Sequence, residues 1–295
     1  VLQANDALES IASEIDAVSN QLNQVQSLYE RQLAQITDLY LAQASLAAVQ
    51  AEQLQLETDL ALSREALRTV SGIDIGELFE LDSVAEIPPL ENSVQFYVQQ
   101  SRETNQQILA REYALQAAQE GISGAKGAYM PQVTFIAARQ DSDVGFDNLP
   151  INRTDNTYLG LDVSIPLFAG GSNRAAVNEA VSLRSIAENE LLSIRLEAGE
   201  RVRGAFLQVQ SSEIRTDAAR ILVESTALSA EAMRQGFNLG TVTSVDVLNA
   251  LRDQYQAERD LHRTRYEHIK YLLILKRETG TLEAEDMLEV DSWLI

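Results

Sequence analysis

Asp38 and Asp246 stand 208 positions apart, each just past a turn and at the start of a helical segment. A carboxylate in that place can do two things. It can complement the positive end of the helix dipole. Where several chains gather with their tips together, it can also join an acidic ring that selects cations or holds a pore shut through hydrogen bonds to neighbouring chains. The dipole accounts for one such aspartate. A pair at equivalent positions, with Asn249 one turn beyond Asp246, points to the ring as well. Other groups carry less chemistry. His262 and His268 are six residues apart and share a helix face poorly, unlike a metal pair spaced by three or four. Asp141-Ser142-Asp143-Val144-Gly145 looks like the start of a calcium loop, but Asn152 stands where the bidentate acid is needed. Gly170-Gly171-Ser172 could seat a phosphate at a helix start. It lacks the lysine and further glycines of a nucleotide loop, and a capped strand-to-helix turn is the simpler reading. With no nucleophile–base set in sight, we assign no catalytic residue, metal or cofactor.

The segments that carry the two aspartates form an internal repeat. Residues 1–72 and 209–280 read as two copies of one helical hairpin, in register without a gap. Tyr29 matches Phe237, Leu67 matches Leu275, Arg68 matches Lys276, and Gly72 matches Gly280. In the first copy Leu8, Ile11, Ile15, Val18, Leu22, Val25 and Tyr29 recur at alternating steps of three and four. A turn follows near residues 33–37. The return helix reads Leu39, Ala42, Leu46, Val49, Gln53, Leu56, Leu60, Ser63, Leu67 and Val70. A sustained 3.5-residue period predicts a left-handed supercoil. Gly72 is the expected C-cap.

Residues 73–92 read as a linker containing Pro88-Pro89, and residues 93–130 as a helix stopped by Pro131. The period then changes to two, over residues 132–140 and again over 158–167, inside a β segment of residues 131–168. Val133 and Phe135, then Leu159, Leu161, Val163 and Ile165, form the apolar face expected of strands that meet lipid. A polar loop at 141–157 separates them. Residues 172–280 read as a long helix followed by the second hairpin. Ser172 or Asn173 is the expected cap, and Gly199 and Gly204 are the expected bends. Residues 281–295 form a tail. Val1 already stands inside a helical pattern, so further chain is expected upstream.

Composition agrees with helices that have narrow seams. Of 295 residues, 45% are hydrophobic but only 6% aromatic. A net charge of −21 makes nucleic acid an improbable partner, since phosphates would be repelled. There is no cysteine, which excludes disulfides and thiolate metal sites. No apolar run of about 18 residues occurs, so no membrane-spanning helix is expected.

The segments Gln35-Ile36-Thr37-Asp38, Gly240-Thr241-Val242-Thr243-Ser244-Val245-Asp246-Val247-Leu248, Ser164-Ile165-Pro166-Leu167-Phe168-Ala169-Gly170-Gly171 and Gly280-Thr281-Leu282 together resemble the TolC-like outer-membrane efflux proteins. The resemblance covers essentially the whole chain. It implies a mainly α fold with a small β part: long antiparallel coiled-coil helices in a periplasmic α-barrel, joined to two transmembrane strands of an outer-membrane β-barrel. It also implies a homotrimer acting as the passive outer-membrane channel of a tripartite efflux or type I secretion system. The implied partners are outer-membrane lipid, a periplasmic adaptor and an inner-membrane pump. The family contributes four strands per chain. Only two are read here, so another strand pair is expected upstream.

Carried over position by position, Asp246 matches a pore-ring aspartate, and Asn249 replaces a second one. Phe237 and Val242 stand where the family has a gate tyrosine and a gate arginine. Asp38, beside Thr37, keeps the acidic gate position. The loss of two polar partners implies a closed state held more by packing. The implied adaptor-docking residues at the tips are Gln32, Leu33, Leu239, Gly240, Thr241 and Ser244. The competing reading is a periplasmic adaptor or structural coiled coil, which would bury its strands in a small sandwich.

Overall fold

The computed structural model describes residues 1–74, 76, 79–82, 87–144 and 152–294. Seven helices and two strands are seen among them: α1 (Leu2–Glu30), α2 (Ile36–Ser71), α3 (Val94–Thr104), α4 (Gln106–Gly127), β1 (Gln132–Val144), β2 (Asn152–Ser164), α5 (Ser172–Asn238), α6 (Ser244–Thr279) and α7 (Ala284–Asp291). The chain divides into two units, one of residues 1–101 with 199–295 and one of residues 102–198.

In the first unit the repeat holds residue for residue. Helices α2 and α6 each have 36 residues, and each starts and ends at equivalent positions. Gly72 and Gly280 both close their helices in the left-handed region, at φ 71° and 81°, where a side chain would be strained. The α1–α2 seam buries Ile11, Val18, Ala42 and Val49, with Leu8, Ile15, Leu22, Leu46 and Leu56 around them. Leu248 of α6 seats on the same cluster. Leu67 and Val70, at the far end of the return helix, are exposed. The second hairpin buries Ala230, Val247 and Leu251 near its tip, and Val202, Ala205, Val209 and Leu275 at its other end.

In the second unit the expected single helix over 93–130 is broken. Asn105 accepts hydrogen bonds from the Gln107 and Ile108 amides at 2.9 and 3.4 Å and so caps α4, ending α3 one residue earlier. Ile108, Leu191 and Ala198 form this unit's buried cluster. The expected helix cap before α5 is also corrected. Ser172 and Asn173 lie inside the helix and donate, to the Ala169 carbonyl at 2.9 Å and the Ala128 carbonyl at 3.2 Å. The second bond ties the start of α5 to the end of α4. The helical hydrogen-bond pattern of α5 runs unbroken through Gly199 and Gly204.

Strands β1 and β2 pair antiparallel from Gln132↔Ser164 to Val144↔Asn152. The ladder is therefore longer than the alternation suggested, and it takes in residues 141–144 and 152–157 of the expected loop. Polar strand ends are held by backbone pairing, to which side-chain period is blind. The rest of that loop, and of the calcium-like stretch, lies outside the described residues. Val133↔Val163, Phe135↔Leu161 and Ala137↔Leu159 are opposed on one face. Ile165 is exposed but lies beyond the end of β2, because Pro166 follows directly and the residue before a proline leaves regular pairing. The same face continues past Ala137 into an ion pair, with Arg139 bonded to both carboxylate oxygens of Asp155 at 3.2 and 2.8 Å.

Candidate functional site

Both hairpin turns sit in the first unit and share one construction. After α1, the Leu33 amide reaches back to the Leu28 carbonyl at 2.8 Å, and the Gln32 amide to Tyr29 at 2.8 Å. After α5, the Thr241 amide reaches Gly236 at 2.9 Å, and the Gly240 amide reaches Phe237 at 3.0 Å. These are paired Schellman closures at equivalent positions. The residue that must turn left-handed is Gln32 (φ 64°) in one copy and Gly240 (φ 72°) in the other.

Asp38 and Asp246 open the returning helices three residues after the caps Gln35 and Thr243. Asp246 is fully engaged there. Its Oδ2 accepts from the Thr243 amide at 2.9 Å and the Thr243 hydroxyl at 2.6 Å, while its own amide donates to Thr243 Oγ1 at 3.3 Å. The Thr243 hydroxyl, then its amide, hold this carboxyl below the ordinary value of 3.8. Asp246 therefore keeps a fixed negative charge at an exposed helix start. Asp38 has the weaker version of the box, with the Gln35 amide 3.4 Å from Oδ2. Thr37 leans on the same cap, its hydroxyl 3.4 Å from Gln35 Oε1.

Asp246 and Asn249 come together on one groove between α5 and α6, with Asp253, Thr226, Ser229 and Met233. Asp253 extends the acidic stripe by two turns. Its 246-249-253 spacing is the sequence signal for this stripe. Phe237 and Val242, the expected gate positions, are half-buried. Both pack on Ala230, Val247 and Leu251 inside their own hairpin. Gly236 makes room for this, since a Cβ there would lie 3.1 Å from Val242 Cγ2 and 3.2 Å from Thr241 Oγ1.

Of the tip residues expected to meet an adaptor, Gln32, Leu33, Leu239, Gly240 and Thr241 are exposed. Ser244 is not. It is 3% exposed beneath α1, where Gln21 Nε2 approaches its hydroxyl at 3.5 Å. The first position of α6 faces the other hairpin, a placement that turn chemistry alone does not reveal. A cleft of about 340 Å³ lies between α2 and α6, walled by Leu41, Ala44, Ser45 and Ala48 on one side and Val245, Leu248 and Asn249 on the other. Its small-residue wall, Ala44 and Ala48 one turn apart, is a signal that the sequence offered.

Buried polar groups where the hairpins meet carry no signal in the spacing of the sequence. Glu14 and Arg259 form an ion pair at 2.6 Å with side chains only 2% and 9% exposed. Tyr266 donates to Asp6 at 2.8 Å, and His262 lies 3.3 Å from the same carboxylate. Burial, more than the neighbouring Asp6, pushes the Tyr266 hydroxyl well above its usual value. His268 is buried beside Ser212 Oγ at 2.7 Å, and burial lowers its pKa from 6.5. The two histidines thus serve separate contacts. Among the described residues no cluster of three or more His, Cys, Asp or Glu could hold a metal, and no helix is long and apolar enough to cross a membrane.

This geometry has known counterparts. Residues 97–281 match the family described as "Outer membrane efflux protein". The outer membrane protein TolC of Vibrio cholerae is 30% identical over 300 residues, covering 100% of this chain and 68% of that one. TolC of Salmonella enteritidis is 27% identical, covering 100% of this chain and 61% of its own length. The crystal structure of VceC from V. cholerae superposes with a TM-score of 0.73 at 20% identity, covering 95% of this chain and 66% of that one. The chain thus spans about two thirds of the length of the proteins it matches. With its helical hairpins, two-stranded antiparallel ribbon and turn motifs in place, the chain belongs to the outer membrane efflux protein family of TolC-like channels, which are transport proteins of the outer membrane and not enzymes.

Proposed function

We propose that the protein is a passive outer-membrane duct of a tripartite efflux or type I secretion system, assembled as a homotrimer and gated at its periplasmic helical tips. The observation that carries this reading is an exposed apolar face on each hairpin, at the positions where the repeat calls for a further helix contact. Within the chain, α1 packs on α2 and also on α6. By the repeat, the lower half of α5 corresponds to α1, and α2 corresponds to α6. An equivalent contact between α5 and α2 completes the pattern. The faces that would make it carry Leu54, Ile214 and Leu222, which are 65%, 64% and 48% exposed. A second copy supplies the missing partner by a head-to-tail contact, and such contacts close into rings.

The β ribbon supports the same assembly. Among the described residues the sheet has two strands, so both of its outer edges need partners. Phe135, Leu159 and Leu161 are 67%, 73% and 67% exposed on one face. That is a lipid-facing band and not the buried interior of a sandwich. The tips, with the cleft between α2 and α6, are the docking surface for a periplasmic adaptor, through which an inner-membrane pump is engaged. Asp246, Asn249 and Asp253 line the mouth and favour cations. Phe237 and Val242 hold the closed tip by packing.

The test uses the full-length protein in detergent and in planar bilayers. We expect a trimer mass and discrete ionic conductance, with cation preference reduced in Asp246→Ala. A monomer with no conductance refutes the duct. A conducting trimer whose selectivity is unaltered by Asp246→Ala refutes the assignment of the acidic mouth.

A further inference from the structure

Helix α1 carries two stripes. Leu8, Ile11, Ile15, Val18 and Leu22 face α2. Asp6, Ser10, Glu14 and Gln21 are also buried and recur at helical spacing on the side toward α6. The joint between the two hairpins of one chain is therefore largely polar, whereas the joints inside each hairpin are apolar. The repeat underlines the contrast, because the positions equivalent to Asp6, Glu14 and His262 are Ile214, Leu222 and Leu54.

The polar joint is uneven along its length. At Glu14, Arg259 bridges two helices of the first hairpin, reaching Glu14 of α1 at 2.6 Å and Glu52 of α2 at 3.4 Å. Farther from the tips, Asp6 holds Tyr266 and His262, and Arg265 donates to the Asp82 carbonyl. Toward the tips the fastening thins. There is the 3.5 Å approach of Gln21 to Ser244 and an exposed bond from Gln24 to Asn238 at 2.7 Å. Leu248 and Ala17 add apolar contacts that can slide. The cleft between α2 and α6 opens on this side, with Glu14, Glu52 and Arg252 at its margin.

We propose that the Glu14–Arg259–Glu52 triad is the stop at which parting of the two hairpins ends, so that the tips splay below it while the joint above stays closed. The inference rests on the gated-duct reading and assigns its moving segment. A guanidinium fork suits a stop, since its planar, pre-organised donors hold two carboxylates in fixed directions, whereas a lysine ammonium is a point charge on a flexible stem. The free arm from Glu14 to the turn is roughly 25 Å long. Bending it to an ordinary helix radius of ~60–100 Å moves the tip by roughly 3–5 Å, without breaking any helical hydrogen bond.

These 295 residues hold no cysteine, so spin-label pairs can be placed among them once any cysteine elsewhere in the full-length protein is replaced by serine. One pair, Asn23→Cys with Leu239→Cys, reports the tip side. The other, Gln3→Cys with Lys270→Cys, reports the fastened side. Distances are read by pulsed electron resonance in the full-length protein, with labelled chains diluted among unlabelled ones. We expect a broad distribution at the tip pair and a narrow one at the upper pair, with the upper pair broadening in Arg259→Ala. Arg259→Lys keeps the charge and should broaden it partially, and it serves if Arg259→Ala does not fold. Equal widths for the two pairs in the otherwise unaltered protein overturn the proposal, as does an upper pair unmoved in both Arg259 variants. The readout needs no conductance, so a failed duct and a failed stop are distinguishable.

Discussion

Gln32 and Gly240 offer a controlled exchange, because the repeat places them in the same backbone conformation with different side chains. Both are the left-handed residue of a Schellman closure, at φ 64° and 72°. An L residue pays about 1–2 kcal/mol to sit there. Glycine avoids that strain but loses about 0.4–1 kcal/mol more chain entropy on ordering. Gln32→Gly should therefore stabilise the first turn by about 0.5–1 kcal/mol, and Gly240→Gln should destabilise the second by about 1 kcal/mol. A Cβ at Gly240 meets nothing within 4 Å, so the cost is conformational and not steric. The affected bonds are Leu33 to Leu28 and Thr241 to Gly236, at 2.8 and 2.9 Å. Hydrogen exchange followed by mass spectrometry on peptides spanning each turn reads them directly. Since about 1.4 kcal/mol is tenfold, Thr241 exchange should speed about fivefold in Gly240→Gln, and Leu33 exchange should slow two- to fivefold, roughly, in Gln32→Gly. Faster exchange in Gln32→Gly would refute the reasoning, since it would mean that the glutamine side chain, and not the backbone closure, holds the first turn.

Further outcomes follow from the same contacts. Gly236→Ala gains about 1 kcal/mol of helix propensity but crowds Val242 and Thr241, costing about 1–3 kcal/mol. A net loss in thermal midpoint is expected, and a gain would show that the turn shifts freely. Burial keeps His268 neutral in the fold, with its pKa below 6.5, although Glu213 and Asp217 oppose this. Its stabilising contribution is therefore complete above pH 6.5 and lost as pH falls through the lower folded value. A denaturant midpoint that falls with acid in the unaltered protein should fall less in His268→Gln, and an identical slope would count against it. Asp246 titrates below 3.8, so cation preference should persist to at least that pH, and a loss of preference near neutrality would contradict the capping-box geometry. Leu161→Arg on the lipid-facing stripe should cost about 2–4 kcal/mol near the bilayer midplane and deplete the assembled species. Tyr158→Arg, on the opposite face, should be tolerated.

Much of the fold was legible because it is local and periodic. The apolar stripe from Leu8 to Tyr29, the match of Gly72 with Gly280, and the alternation from Leu159 to Val163 each follow from a helix or strand presenting one face to a partner. Asp38 and Asp246 were legible as helix-start carboxylates for the same reason, since a capping box spans three residues. What the sequence left open concerns which second face a helix buries. Ser244 looked like a surface tip residue until α1 was seen to cover it. The tip positions of Phe237 and Val242 follow from the repeat, but their packing on Ala230, Val247 and Leu251 is visible only in the fold. Arg259, Glu14 and Glu52 lie on three different helices, and no spacing along the chain joins them. A single-helix period names one seam, whereas a helix inside a ring has two. Local pattern therefore set the hairpins, the turns and the ribbon, and only tertiary packing decided that the hairpins meet through buried charge.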